Sequence, residues 1–233
     1  MSEFRFRQFS VKNEASAMKV GTDAVLLGAA MTLRPSDRSL LDVGTGTGVI
    51  ALMAAQRLTS SAFQIEAIDI DPASAAEAAE NFAASPWSSH LRACCIPLSS
   101  YCAAGFDLIF SNPPYYDSSL KNPDARESAA RHTETLSYRG LCAFAATHLK
   151  PEGRLSLILP SDCEKDLLRT AASFGLYPFR LLRIRTTPAK PVSRLIAEFS
   201  RSRTQPEASE LTLMDSSGKR SREYVSLTRE FYL

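Results

Sequence analysis

The sequence lacks most of the features that assign a protein to a class at sight. Its five cysteines (Cys94, Cys95, Cys102, Cys142, Cys163) form no C-x-x-C pair and sit mostly among apolar residues. Reduced, buried thiols are therefore expected, and no metal site. No apolar run reaches the roughly 18–20 residues that a membrane span needs, and the opening Met1-Ser-Glu-Phe-Arg-Phe-Arg7 has no signal-peptide core. A cytoplasmic protein without membrane contact is the expectation. A net charge of +2 is too small to announce a nucleic-acid binder. There are no internal repeats, and His90 and His148 carry no signal. What remains is 233 residues with 45% hydrophobic and 22% charged content, enough for one sizeable core. One domain over 1–233 is expected: a cofactor-side strand and helix in 1–35, a catalytic core in 36–200 and an extension in 201–233.

Strand and helix patterns alternate along the chain. Phe4 to Val11 alternates as a short edge strand, and Thr22 or Asp23 is placed to cap a helix through Ala24–Met31. Strands are expected at Ser39–Val43, Gln64–Asp69, Leu91–Ile96, Phe106–Ser111 and Arg154–Leu159. Helices are expected at Val49–Arg57, Pro72–Ala84 with Asp71 as N-cap, and Leu136–Leu149, closed by Lys150-Pro-Glu-Gly. Ser161-Asp-Cys-Glu164 reads as a capping box opening a helix that ends at Gly175. Leu176–Ile184 and Val192–Phe199 follow with no helix between them, so they should pair antiparallel. The 200–210 stretch reads as a loop, Leu211–Met214 as a weak strand and Arg222–Tyr232 as a short helix. This order predicts an α/β fold: a doubly wound, mostly parallel, Rossmann-like sheet with a C-terminal antiparallel strand pair.

Asn112-Pro113-Pro114-Tyr115, where the fourth strand of that sheet opens to solvent, is the most informative tetrapeptide. An amide oxygen and a neighbouring carbonyl can accept hydrogen bonds from a planar amino group, and an aromatic ring can lie against a flat substrate. That arrangement suits methyl transfer to an amino nitrogen conjugated to a planar system; the plain account is a Pro-Pro turn. Context decides between them. The first strand of the sheet ends in Asp42-Val-Gly44-Thr45-Gly46-Thr-Gly48, an acid followed by G-x-G-x-G rather than the dinucleotide G-x-G-x-x-G. An acid there would repel a pyrophosphate but can hold the ammonium of S-adenosylmethionine. Asp69, with Ile70 after it, ends the second strand where a carboxylate can accept bonds from ribose hydroxyls. Three features on one sheet edge point to an S-adenosylmethionine-dependent methyltransferase. In that reaction Asn112 and the Pro113 carbonyl would orient the amine, Tyr115 would stack on the base, and positioning would replace a strong general base.

Two segments flank this centre. Met18-Lys19-Val-Gly21-Thr22-Asp23 can fold over the cofactor, Lys19 reaching its carboxylate and Asp23 its ammonium; a turn and helix cap is the simpler account. Arg126, Arg131 and His132, in a long polar connection, are candidates to touch substrate phosphate. The run from Arg180 to Arg203, which includes Lys190 and Arg194, holds seven cations against the single acid Glu198. It is either a solvated strand face or a phosphate-contacting rim.

These residues resemble the bacterial tRNA1(Val) adenosine-37 N6-methyltransferases nearly end to end. The likeness includes Phe6-Arg-Gln-Phe9, Ala17-Met-Lys-Val-Gly-Thr-Asp-Ala-Val-Leu-Leu-Gly28 and Asp42 to Gly48. It continues through Glu80-Asn-Phe-Ala-Ala-Ser-Pro-Trp87, Ser111-Asn-Pro-Pro-Tyr-Tyr116 and Phe231-Tyr232. The Met-Lys-Val-Gly-Thr-Asp segment discriminates, because the other motifs are shared by many amino-methyltransferases. The resemblance implies N6-methylation of the adenosine 3′ of the anticodon in one valine tRNA, by a monomer, with S-adenosylmethionine as donor. It implies that Asp42, Gly44, Asp69 and Asn112 line the cofactor and Asn112 to Tyr115 the base. Relatives usually carry an acid after the third strand; here Pro97 stands there, so adenine contact is expected from Leu98 and apolar packing. Protein glutamine methylation, ribosomal RNA or DNA amino-methylation, and an RNA-binding protein with an inactive fold are the alternatives.

Overall fold

The computed structural model describes residues 3–16, 19–60, 62–103, 105–114 and 136–233. Its strands are β1 (Glu3–Arg5), β2 (Ser10–Lys12), β3 (Ser39–Val43), β4 (Gln64–Asp69), β5 (Leu91–Cys95), β6 (Phe106–Ser111), β7 (Leu149–Pro160), β8 (Tyr177–Arg185), β9 (Val192–Ser200) and β10 (Glu207–Thr212). Its helices are α1 (Thr22–Ala30), α2 (Val49–Arg57), α3 (Pro72–Ala83), α4 (Tyr138–His148), α5 (Glu164–Ser173) and α6 (Arg222–Thr228). Eight strands form one sheet in the order β10-β8-β9-β7-β6-β3-β4-β5. Every neighbouring pair runs parallel except those made by β9, which lies antiparallel between β7 and β8.

The central strands are apolar on both faces because both faces are covered. Successive side chains alternate between two cores. Leu40, Leu108, Phe110, Leu182 and Ile196 face α1, α2, α3 and α6. Leu41, Ile109, Leu181, Leu195 and Ala197 face α4 and α5. The helix α1 packs against α2 so closely that a Cβ on Gly28 would lie 2.7 Å from the Met53 sulfur. Among the described residues no helix is long and apolar enough to cross a membrane.

Several boundaries differ from the sequence reading, each for a local reason. The expected strand over Phe4–Val11 is a hairpin of β1 and β2, separate from the main sheet and folded back between Phe6 and Phe9. Its Arg7 N–H donates to the carbonyl of Phe231 at 2.9 Å, tying the two ends of the chain together. Gly21, not Thr22 or Asp23, caps α1. Ser137 caps α4 through the Gly140 N–H. The turn expected at Lys150–Gly153 is a register shift at the start of β7. No capping box forms at Ser161: its hydroxyl donates to the Val192 carbonyl at 2.8 Å, and Glu164 is drawn to Arg183. The tail adds more than a weak strand, because β10 starts at Glu207 and extends the sheet parallel to β8, while the last helix stops at Thr228. Of the five thiols only Cys142 is buried; Cys95 and Cys102 are exposed, and none is in a disulfide.

One ion pair lies inside the fold. The Arg154 side chain, 1% exposed, donates to both carboxylate oxygens of Asp37, at 2.7 and 3.2 Å, and to the Thr32 carbonyl. Truncating one partner strands the other charge in the interior. Arg154→Ala is expected to lower the unfolding free energy in urea by about 3–5 kcal/mol; a loss below about 1 kcal/mol would show that Asp37 finds another partner.

Candidate active site

The carboxyl ends of β5, β4, β3 and β6 lie side by side, and the chain leaves each of them through a short turn. After β3 the backbone must reverse into α2, and it does so through Gly44, Gly46 and Gly48, with φ of 71°, 55° and 80°. A side chain at Gly48 fails twice, in the left-handed region and with its Cβ 2.5 Å from the Phe82 ring. The loop is held to β4: the Gly44 and Thr45 N–H groups donate to the Ile68 carbonyl at 2.8 and 3.1 Å. The Gly46 N–H donates to Asp69 Oδ2 at 2.9 Å, and the other oxygen, Oδ1, accepts from the Asp71 N–H at 3.0 Å. Asp71 in turn caps α3 through the Ser74 N–H. Asp69 keeps lone pairs for further donors. Beside it Ile70 leaves 49% of its surface exposed, an unusual position for a large apolar residue here. Across the edge, Pro97 precedes a short 3-10 turn, Leu98–Ser100, with Leu98 half-buried.

Asp42 is the electrostatic anomaly of this edge. It is fully buried; Oδ2 accepts from the Thr45 hydroxyl at 2.7 Å, while Oδ1 makes no hydrogen bond among the described residues, the Ala51 N–H pulling only weakly. Burial, and then the negative charge of Asp69, push its pKa from 3.8 up to about 7. A buried carboxylate with an idle oxygen, next to a second carboxylate, is a receptor for positive charge.

On the other side of β3, the Ser111 hydroxyl donates to the Val43 carbonyl at 2.6 Å and pins the end of β6. Asn112 follows, 8% exposed, with Pro113 buried and Pro114 half-buried. The edge thus gathers Asp42, Gly44, Thr45, Gly46, Gly48, Asp69, Ile70, Leu98, Asn112, Pro113 and Pro114. Tyr115, Arg126, Arg131 and His132 lie outside the described residues.

The N-terminal segment reaches the same edge by a route the sequence did not announce. Glu77 on α3, 5% exposed, accepts the N–H groups of Glu14, Ala15 and Ser16 at 2.7, 2.8 and 2.9 Å. One turn on, the Asn81 amide binds both backbone groups of Lys12 and donates to the Thr47 carbonyl in the glycine loop at 2.9 Å. Buried polar groups four apart on a helix face that should be apolar were the available signal. The Asn13 side chain accepts from the Val20 N–H at 2.9 Å, and Lys19 Nζ donates to the Glu14 carbonyl at 2.6 Å. Gly21 and Thr22 are exposed at the start of α1, and Asp23 pairs with Arg194 Nε at 2.8 Å.

The basic run is mostly consumed inside the fold. Arg180 pairs with the buried Glu198, Arg183 with Glu164, Arg185 with Glu210 and Arg194 with Asp23. Arg201 donates to the Ala146 carbonyl, and Arg203 lies over the Tyr177 ring. The sequence showed a single nearby acid; other elements bring three more. A continuous phosphate rim does not form there, although Lys190 stays exposed in the β8–β9 turn.

The family model of the methyltransferase small domain matches residues 15–172. The chain is 41% identical over 234 residues to the tRNA1(Val) (adenine(37)-N6)-methyltransferase of Bacteroides fragilis, covering 99% of this chain and 97% of that one. It is 38% identical to the protein of the same name from Tolumonas auensis, covering 99% and 96%. Among solved structures it is similar to a predicted O-methyltransferase of Agrobacterium tumefaciens, with a TM-score of 0.68, 16% identity and 90% and 96% of the two chains covered. It is also similar to geranyl diphosphate C-methyltransferase of Streptomyces coelicolor in complex with S-adenosyl-L-homocysteine, with a TM-score of 0.55, 15% identity and 77% and 76% covered. At those identities the structures speak for the fold alone.

The raised pKa of Asp42 has a sign that can be tested without ligand. Between 3.8 and about 7 the folded protein holds a proton that the unfolded chain has lost. The resulting stabilisation, on the order of 4 kcal/mol, is complete at low pH and disappears as pH rises through about 7. Asp42→Asn is expected to remove this dependence, so that the melting temperatures of variant and wild type diverge steadily from pH 5 to about pH 8 in favour of the variant. Parallel curves would mean that Asp42 is ionised throughout.

Proposed function

We propose, from the premise that this chain belongs to the family of tRNA1(Val) (adenine(37)-N6)-methyltransferases, that it methylates N6 of adenosine 37 in the anticodon loop of a valine tRNA. The observation that carries the reading is the meeting of Asn112-Pro113-Pro114 with the glycine loop, Asp42 and Asp69 at one edge of the sheet. The enzyme is S-adenosylmethionine-dependent, and its residues fit that cofactor. Asp42, with its idle buried oxygen, and Asp23 suit the ammonium; Lys19 with the Gly21 and Thr22 backbone suits the carboxylate. The turn of Gly44, Thr45, Gly46 and Gly48 would lie beneath it, Asp69 would accept from the ribose, and Ile70 and Leu98 would flank the adenine, where relatives use an acid.

When bound, the cofactor supplies a methyl group carried on a positively charged sulfur. The chain's part is to present the nucleophile. The lone pair of an adenine amine is delocalised into the ring, so its geometry has to be imposed. The Asn112 side-chain oxygen and the Pro113 carbonyl each accept one N6 hydrogen, and Tyr115 stacks on the base after it is turned out of the loop. Pro113 and Pro114 keep that backbone from relaxing. As the N–C bond forms and the bond from the methyl group to sulfur breaks, leaving a neutral thioether, the nitrogen would gain positive charge, and its surplus proton would pass to water without a strong base. Arg126, Arg131, His132, Lys190 and Arg194 meet RNA phosphates, Arg194 by exchanging Asp23 for one. We further propose that 1–233 acts as one domain, as a monomer in the cytoplasm, with 1–35 covering the cofactor and 201–233 an extension of the core.

Labelled methyl transfer into separated tRNA, ribosomal RNA and protein pools, followed by nucleoside analysis, is expected to give N6-methyladenosine in tRNA. Label in methylglutamine, or confined to ribosomal RNA, would overturn the reading. Asn112→Ala is expected to lower kcat by about 100-fold or more while cofactor binding, measured by calorimetry, stays within about threefold. A variant of normal rate would remove Asn112 from the mechanism.

A further inference from the structure

The two hairpins at the far end of the same sheet edge are built as one piece. The first is the β8–β9 turn, closed by the Lys190 N–H donating to the Thr187 carbonyl at 3.1 Å. The second follows β10, where Met214 and Arg220 pair across a tight turn with Gly218 at φ 80°. They are stitched together, since the Leu213 and Met214 N–H groups donate to the Arg185 and Thr186 carbonyls at 3.0 and 2.9 Å. Ser221 closes the base: its N–H donates to the Leu213 carbonyl, its hydroxyl to that of Thr212, and its oxygen caps α6.

This piece presents cations with little to neutralise them. Lys190, Lys219 and Arg222 are exposed and make no ion pair among the described residues. Arg220 is held 4.6 Å over the Tyr232 ring. Of the neighbouring acids, Glu210 is paired with Arg185, and Asp215 turns its carboxylate onto the N–H groups of Ser217 and Lys219. Glu223, on the first turn of α6, is the acid left facing solvent there. The opposite end of the edge is different: residues 95–103, beyond β5, contain no lysine or arginine. The charge is therefore one-sided, and it sits four strand spacings from β6, about 19 Å.

We infer that the paired hairpins, through Lys190, Lys219 and Arg222, form a rigid platform for the phosphates of the RNA duplex that carries the methylated loop. The inference rests on the proposed RNA reaction and extends it from the loop to the stem. With the target base turned into the site at Asn112, the duplex leaves toward this cationic end of the edge. An A-form duplex is read by its shape and phosphates rather than its base edges, which is what a stitched pair of hairpins with lysine and arginine tips can read. Because the hairpins are already ordered, little chain entropy is lost on contact.

The test compares binding of an anticodon stem-loop and of the single-stranded loop sequence alone, for wild type and for Lys219→Glu/Arg222→Glu, with cofactor binding as the control for folding. The double variant is expected to lose about tenfold or more on the stem-loop, with a slope of log affinity against log salt shallower by about two, and less than about twofold on the loop alone. A neutral pair, Lys219→Gln/Arg222→Gln, should lose an intermediate amount. Wild-type affinity and slope on the stem-loop, or an equal loss on both RNAs, overturn the inference. A wild-type enzyme that binds the stem-loop but transfers no methyl group to it would overturn the proposed reaction instead.

Discussion

The carboxylate of Asp69 is the joint on which the site depends. One oxygen holds the glycine loop that follows β3 and the other holds the start of α3, so two crossovers of a parallel sheet are fixed by one side chain at the end of β4. A parallel sheet makes this possible, because every strand of the central group arrives at the same edge and must be turned back there. The Ile68 carbonyl, accepting two loop N–H groups, repeats the attachment one residue earlier. A loop held so tightly can keep three glycines in left-handed conformations at the edge of the sheet.

The same edge concentrates carboxyl groups for which the fold supplies no cation. Asp42 is buried without a cation beside it, whereas of the other buried acids Asp37 and Glu198 are each matched to an arginine and Glu77 to three backbone N–H groups. Those two pairs join α1 and its following loop to β7, β8 and β9, so they hold layers together. The contrast separates charge used for architecture from charge kept in reserve for a positive ligand. The α3 helix does both, since one face binds the glycine loop through Asn81 and the N-terminal segment through Glu77.

Much of this was legible in the sequence. The alternation of apolar strands with helices, the acid-plus-glycine loop, Asp69 and the position of Asn112 all follow from local pattern, because each element is set by residues close in sequence. The antiparallel pairing of β8 with β9 was legible too, from the missing helix between them. What was hidden depended on distant partners. The arginines from residue 180 on read as a solvated face or a phosphate rim because their partners Asp23, Glu164 and Glu210 come from other elements. The capping box at Ser161 lost to Val192 and Arg183, which only the folded sheet brings near. Likewise β10 is weakly apolar, with one strongly buried residue, Leu211, and gains its strand conformation from the open edge of β8.

The bond from Arg7 to the carbonyl of Phe231, with the Arg7 side chain on the Tyr232 carbonyl, gives the molecule the topology of a nearly closed ring. On a ribosome this closure comes late: Phe4 and Phe6 are made long before Tyr232 arrives to pack beside them. Until then the N-terminal aromatics and the edge of β8 that awaits β10 remain open together, so a growing chain is exposed to wrong partners at both places at once. Once formed, the closure holds the hairpin of β1 and β2 against the segment after α6, so each steadies the other although more than two hundred residues separate them.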